Sequence, residues 1–211
     1  MKIALIGASG FVGGAVLKEA TSRGHEVSAI VRSPEKVATH DGVNAVKADV
    51  NDAGALKAAI SDSDIVISAF NGGWGDPDIY AKHLAGSKAI AAAAKAAGKR
   101  VIIVGGAGSL EIDGKQLVDG PDFPAAYRDG ALAARDVLSA LRNESGLDWS
   151  FVSPALHLAP GERTGKFRVG GDQPVFDAYG ESRISVEDLA VAIVDEAGSP
   201  KHTGKRFTAG Y

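Results

Sequence analysis

The densest chemical pattern in the chain lies near its N-terminus, where Gly7-Ala8-Ser9-Gly10-Phe11-Val12-Gly13 follows the apolar run Ile3–Ile6 and opens a helical pattern. Each glycine at this spacing has a physical use. Gly7 permits a sharp turn, Gly10 lets the backbone approach a bound group, and Gly13 lets a helix lie close on a sheet. The start of the helix adds unpaired N–H groups and the positive end of its dipole, which together attract phosphate. Strand, turn and helix agree with one another, so the segment predicts a corner that holds the pyrophosphate of a dinucleotide.

The next strand selects the dinucleotide. A site for NAD places a carboxylate about twenty residues past the glycines, where it meets the ribose 2′-hydroxyl. Here Val27-Ser28-Ala29-Ile30-Val31 ends in Arg32-Ser33, with no acid at the tip. A guanidinium there suits a 2′-phosphate through charge-assisted hydrogen bonds, and Ser9 can add another. NADP(H) is the expected cofactor, with NAD(H) a lesser alternative. Two later strand ends complete the crevice. Asp49 and Val50 follow the third strand, where Asp49 either meets the adenine edge or is a solvated turn residue. Ala69, Phe70, Asn71 and Gly72 follow the fourth, where a ribose or nicotinamide must come close; Phe70 alternatively packs.

On the substrate side, Ser109 stands just past the fifth strand among glycines and is the candidate polar group beside the nicotinamide; otherwise it bonds its own turn. Tyr127 either donates a proton to the acceptor or packs on a helix face. Trp74, flanked by Gly73 and Gly75, is either a lid over a flat ring or a packed surface residue. Pro154 and His157 follow the sixth strand and should line the pocket, with His157 a proton donor or a structural histidine.

The elements that must position these groups alternate along the chain as short apolar runs and helical patterns, the sign of a parallel sheet covered on both faces. Strands are expected at Ile3–Ile6, Glu26–Val31, Val43–Lys47, Asp64–Ser68, Arg100–Val104, Trp149–Ser153 and Arg206–Ala209. Helices are expected at Phe11–Arg23, Ala53–Ile60, Asp78–Ala97, from Ala125 to near Gly146, and at Val186–Ala197. Ser185 with Asp188 resembles a capping box at the last of these. Gly105–Pro124 reads as a long loop, a length that points to function, and Pro160–Gly180 as a glycine- and proline-rich region. The fold class is α/β, one doubly wound domain over residues 1–211 with a small C-terminal substrate-side region.

Composition narrows the classes further. Hydrophobic residues make up 45% and charged residues 23% of 211, so disorder is not expected. A net charge of −3 without a basic stripe gives no reason to expect nucleic acid. Cysteine is absent, which removes disulfides, thiolate metal sites and a cysteine nucleophile. The five histidines show no metal-ligand spacing. No signal peptide or membrane span is read, so the expected location is the cytoplasm. The alanine-rich helix at Asp78–Ala97 is compatible with a homodimer contact or with packing inside one chain.

These residues give the chain a resemblance to the atypical short-chain dehydrogenase/reductases, in particular the small branch of NADH-flavin reductases and biliverdin reductase B-like proteins, with NmrA-like relatives. The matching features are the glycine turn, Val31-Arg32, Asp49-Val50, Val104-Gly105-Gly106-Ala107-Gly108-Ser109-Leu110, Ser153-Pro154, and the tail from Ile184-Ser185-Val186-Glu187-Asp188-Leu189-Ala190. The resemblance implies a Rossmann-like fold and NAD(P)H-dependent reduction of flavins (FMN or FAD), quinones or similar planar acceptors. The chain departs from the wider superfamily's Tyr-x-x-x-Lys: the fourth residue after Tyr127 is Ala131, and after Tyr80 it is Leu84. Without the lysine, a tyrosine near its ordinary pKa of about 10 relays protons poorly to a ketone. Hydride transfer to an electron-poor ring needs mainly stacking and exclusion of water. The rival expectations are an NADP-sensing regulator without turnover and an epimerase- or dehydratase-like enzyme.

Overall fold

Apolar runs with no polar face are stable only where a sheet is covered on both sides, and the first half of the chain builds such a sheet. The computed structural model describes residues 1–38 and 40–211. In chain order it contains β1 (Lys2–Ile6), α1 (Phe11–Ser22), β2 (Glu26–Val31), β3 (Val43–Lys47), α2 (Ala53–Ile60), β4 (Ile65–Ser68), α3 (Ile79–Ala96) and β5 (Arg100–Val104). There follow β6 (Glu111–Ile112), β7 (Lys115–Gln116), α4 (Ala125–Arg142), β8 (Trp149–Ser153), β9 (His157–Ala159), β10 (Arg168–Gly170), β11 (Arg183–Ser185), α5 (Val186–Gly198) and β12 (Lys205–Gly210).

Eight strands form one sheet in the order β10-β12-β8-β5-β4-β1-β2-β3. Its pairings are parallel except for β10, which runs antiparallel to β12. This is the Rossmann-like α/β arrangement. The chain winds outward from β1 through β2 to β3, then returns to β4 on the other side of β1. The reversal opens a crevice at the carboxyl ends of β1 and β4, where open α/β sheets take their ligands.

Side chains alternate along each strand and so feed two cores. Ile3 and Leu5 face one layer with Val27, Ile67, Ile102, Phe207 and the α5 residues Leu189 and Ile193. Ala4 and Ile6 face the other with Ile30, Val66, Ile103, Phe151 and the α4 residues Val137, Leu138 and Leu141. Helix α4 reads as amphipathic because Gly130, Ala131, Ala133, Ala134, Val137, Leu138 and Leu141 recur at helical spacing and are buried.

The structure differs from the sequence reading where polar and glycine-rich segments gain order from partners. The segment Gly105–Pro124 is not an open loop: it holds the β6–β7 hairpin and two single 3-10 turns. Asp113 and Gly114 both take positive φ (51° and 74°), as a two-residue hairpin turn requires. Within Pro160–Gly180, β10 extends the main sheet, and the strands on either side of this region, β9 and β11, pair in a small parallel ladder. The Ser185 cap is half a capping box. Its hydroxyl accepts from the Asp188 N–H at 3.0 Å, but the Asp188 carboxylate turns instead to Thr164, the Gly165 N–H and the Tyr211 hydroxyl. Among the described residues no helix is long and apolar enough to cross a membrane.

Candidate functional site

The glycine corner sits at the reversal of strand order. Gly7 has φ +79°, a conformation open mainly to glycine, and a β-carbon there would lie 2.6 Å from the carbonyl oxygen of Ala69. The β1 turn is thus pressed against the end of β4. Gly13 is equally constrained: a side chain there would collide with the Gly7 carbonyl. The Gly7 N–H donates to Ile30 at 3.0 Å, which ties the turn to β2. Gly10 is the N-cap of α1 and has no side chain to satisfy the first N–H groups, and no acid lies in the first helical turn. Ser9, Gly10 and Phe11 are exposed, while Val12 is half-buried. The corner therefore presents free donors and an uncompensated positive helix end to solvent, the requirements for binding an anion.

Arg32 is exposed at the tip of β2 beside this corner, and among the described residues its guanidinium has no side-chain partner. Asp49 is exposed, and its carboxylate accepts from both the backbone and side-chain amides of Asn51 at 2.9 and 3.0 Å, shaping its own turn. Val50 and Phe70 point inward: the Phe70 ring lies against Gly86 of α3 next to Val50. Phe70 also stacks on His83 with centroids 5.9 Å apart and planes 7° apart. The Ala69 and Phe70 backbone, rather than the Phe70 ring, borders the crevice. Asn71 accepts from the Gly73 N–H at 2.8 Å, and Gly72 rests on the backbone of Ile79 and His83. Burial pushes the His83 imidazole below its ordinary pKa, and its Nδ1 is buried without a partner among the described residues.

Two substrate-side candidates that lie 53 positions apart meet in space. Trp74 is 61% exposed and Tyr127 56% exposed, and their rings meet edge to face, centroids 5.6 Å apart at 89°. Tyr127 stands in the first turn of α4, and α4 is fixed to α3 by the Tyr80 hydroxyl, which donates to Asp136 at 2.6 Å. That bond raises the Tyr80 pKa. The indole covers Gly130, whose missing side chain leaves room for it.

Ser109 occupies a different setting. It is 2% exposed, in a 3-10 turn just beyond β5, and both its carbonyl and its hydroxyl accept from Arg206 at 2.7 and 2.9 Å. The Arg206 side chain is 1% exposed. It also donates to the carboxylate and carbonyl of Asp172, so all five of its N–H donors are used. Burial lowers the Arg206 pKa against the opposing pull of Asp172. On the same sheet face, the fully buried hydroxyls of Ser153 and Thr208 stand in register on β8 and β12 without hydrogen-bond partners among the described residues. Pro154 is half-buried. His157 is exposed on β9, held through its own N–H to Ser182 at 2.9 Å.

The crevice at β1, β2 and β4 thus gathers Gly7, Ser9, Gly10, Phe11, Val12, Gly13, Arg32 and the Ala69–Gly72 backbone. Trp74 and Tyr127 stand together beyond them, while Ser109 is set in the polar cluster under Arg206. Sequence reasoning missed Arg206, Gly130 and Asp136. Arg206 sits where a strand pattern expects an exposed residue, and only its position in the sheet reveals the burial. Gly130 was visible as a glycine inside a helical pattern, a sign of close approach.

A family model described as NAD(P)H-binding matches residues 7–197. An uncharacterized protein of Bacillus subtilis (strain 168), YwnB, is 40% identical over 99% of this chain and 97% of its own length. Two solved structures cover the whole chain. One, a candidate epimerase from Bacteroides thetaiotaomicron, is 44% identical with a TM-score of 0.92 over 96% of that chain. The other, a candidate NADH-flavin reductase from Streptococcus pneumoniae TIGR4, is 37% identical with a TM-score of 0.89 over 99% of that chain.

Proposed function

Because the chain belongs to the NAD(P)H-binding family whose model spans residues 7–197, we propose that it is an NADPH-preferring reductase of the cytoplasm that passes hydride to a flavin, quinone or similar planar acceptor. The observation that carries this reading is the open corner at the strand reversal: a glycine N-cap with no side-chain cap on the first helix donors and an exposed Arg32 at the next strand tip, without a side-chain partner among the described residues. The residues fit the dinucleotide. The α1 N-terminus would hold the pyrophosphate, Arg32 and Ser9 the 2′-phosphate, and the Ala69–Gly72 backbone the nicotinamide ribose. The bound cofactor supplies the hydride.

The chain's own part is binding and orientation. A planar, electron-poor acceptor needs to be stacked against the nicotinamide with water excluded, and effective-molarity gains of that kind are large. The absent Tyr-x-x-x-Lys fits this economy, since Ala131 stands where the lysine would be and is only 8% exposed. The name of the Streptococcus structure agrees with the acceptor class. The missing pair also sustains a second reading, a dinucleotide sensor without turnover.

NADPH oxidation with FMN, FAD, menadione and dichlorophenolindophenol separates the two. Saturable turnover with at least one acceptor is expected. Calorimetric NADP+ binding with no turnover across the panel would favour the sensor, and no affinity for either pyridine nucleotide would overturn both.

A further inference from the structure

We infer that Trp74, seated in a notch made by Gly130, is a preformed stacking wall for the flat conjugated ring of the acceptor, and that Gly130 is the residue that keeps that wall in place; this rests on the acceptor class proposed above. The starting observation is an apparent waste. A tryptophan that is 61% exposed leaves much apolar surface in water, and the loop carrying it is not apolar elsewhere. With the exposed Tyr127 against it, the indole offers a flat, rigid surface of large area suited to contact with a planar ligand.

The indole is nevertheless held. A β-carbon added at Gly130 would lie 2.9 Å from its Cζ3 and 3.1 Å from its Cη2, with Ile79 Cδ1 at 3.2 Å. The ring therefore fills the space that any other residue would occupy on α4. Tyr127, one helical turn before Gly130, meets the ring edge to face. Below the notch, α3 and α4 are joined by Tyr80 and Asp136. The loop is held at its far end by the Lys82–Asp76 ion pair at 2.6 Å. Gly73 and Gly75 flank the tryptophan with φ of +115° and +82°, a path that turns the side chain back onto α4. One part of the ring is socketed and the rest faces solvent.

The notch opens on the carboxyl side of β4 and β5, since the Trp74 loop follows β4 and α4 follows the segment after β5. That is the side of the crevice on which the glycine corner stands, so an acceptor stacked on Trp74 lies along the sheet edge from the nicotinamide subsite. Gly130 itself is buried in the middle of a helix, where glycine is less stable than alanine. Its backbone is not in the left-handed region. Alanine there would suit the helix, displace the far end of the Trp74 indole and ask the Ile79 Cδ1 end to give by a few tenths of an ångström. Stability and acceptor binding should consequently move in opposite directions.

The test is a titration of FMN, read by quenching of its own emission, into the full-length protein saturated with NADP+, so that no turnover occurs. The expected result is saturable quenching by the wild type and a dissociation constant raised roughly two- to tenfold by Gly130→Ala, the range of one aromatic stacking contact. Thermal stability of this variant should stay level or rise. Trp74→Leu should weaken FMN and menadione at least as much, and Trp74→Phe should restore part of the loss. Calorimetric NADP+ affinity should stay the same in all three. Unchanged FMN and menadione affinity in both Gly130→Ala and Trp74→Leu would overturn the inference, as would a wild type that binds NADP+ but neither ring; either result leaves the dinucleotide reading standing. Loss of NADP+ binding in the wild type would instead defeat the reading beneath it.

Discussion

Replacing Arg32 with alanine separates the two pyridine nucleotides. The side chain is exposed at the tip of β2 and has no side-chain partner among the described residues, so its removal breaks no salt bridge and opens no cavity. Stability should change by less than about 0.5 kcal/mol, as for other surface positions. A hydrogen bond to a charged group contributes about 1.5–3 kcal/mol, and exposure to solvent and salt reduces that for a surface pair. About 1–2 kcal/mol is left, which weakens NADPH roughly 5- to 30-fold. NADH has no 2′-phosphate and should bind Arg32→Ala about as well as the wild type. Isothermal calorimetry with each nucleotide, at two salt concentrations, reads both numbers; the gap between wild type and variant for NADPH should narrow as salt rises. Equal losses for NADPH and NADH would place Arg32 against a part the two share and refute the phosphate clamp. No loss for either would put it outside the site.

Gly7→Ala should cost at least about 1–2 kcal/mol for the left-handed backbone, with more from the 2.6 Å approach to Ala69; melting and calorimetry should show a lower midpoint and at least tenfold weaker binding, and intact binding would move the nucleotide away from this turn. Arg206→Met should destabilise by about 3 kcal/mol, the low end for removing one partner of a buried pair because Asp172 is half in solvent, with Arg206→Lys intermediate since an ammonium cannot supply five donors. A urea midpoint shift equivalent to less than about 1 kcal/mol would show that Arg206 does not hold Ser109 and Asp172 together at the expected energy. Stability should fall in two stages as pH drops. His83, lowered by burial, and His25, lowered by burial, the N-terminal ammonium and Arg23, make the unfolded chain take up protons first below about 6.5. Glu19 is held low by Arg163 and Arg23 against burial, and Glu196 is held low by His202, Ser150 and backbone donors despite burial; what they contribute is complete above about 4.3 and is lost as pH falls through their depressed values. Urea midpoints from pH 7.5 to 3.5 trace both stages, and His83→Phe should flatten the first; an unchanged first stage would show that folding does not lower the His83 pKa.

How much of this was legible in the sequence follows from where the determinants of structure lie. Strands β1, β2, β4 and β5 were readable because Ile3–Ile6 or Ile65–Ile67 are apolar on both faces, and such runs have few stable alternatives. The glycine corner was readable because its requirement is local: Gly7 needs a positive φ within its own turn. The β9–β11 ladder was not readable, because His157, Leu158 and Ala159 form a strand only where Arg183, Ile184 and Ser185 lie alongside, 26 positions later. The hairpin Glu111–Gln116 was hidden in two-residue strands around Asp113-Gly114, too short for any periodicity. Trp74 and Tyr127 could each be singled out by type, yet their meeting depended on the angle at which α4 leaves the β5 segment, which no pattern fixes. Ser109 was placed correctly after β5, but its burial under Arg206 depends on a strand nearly a hundred residues away.

The two halves of the site are held by different forces, and this bears on how each can change. The cofactor half hangs from β1, β2 and β4, whose order comes from apolar burial on both faces. The segment Pro160–Gly180 is rich in glycine and, with Val175 its buried hydrophobic residue, has little apolar mass with which to fix its loops. Charged groups do that work there. Asp188, fully buried, holds Thr164, Gly165 and Tyr211; Glu19 holds Arg163 and Arg23; Arg206 holds Ser109 and Asp172. Buried charge pairs add little net stability compared with apolar packing, but losing one partner is costly. Substitutions in the apolar half should therefore shift stability in graded steps set by lost volume. Substitutions at Asp188, Glu19 or Arg206 should displace whole loops at once, altering acceptor binding while leaving the glycine corner and its affinity for the dinucleotide nearly intact.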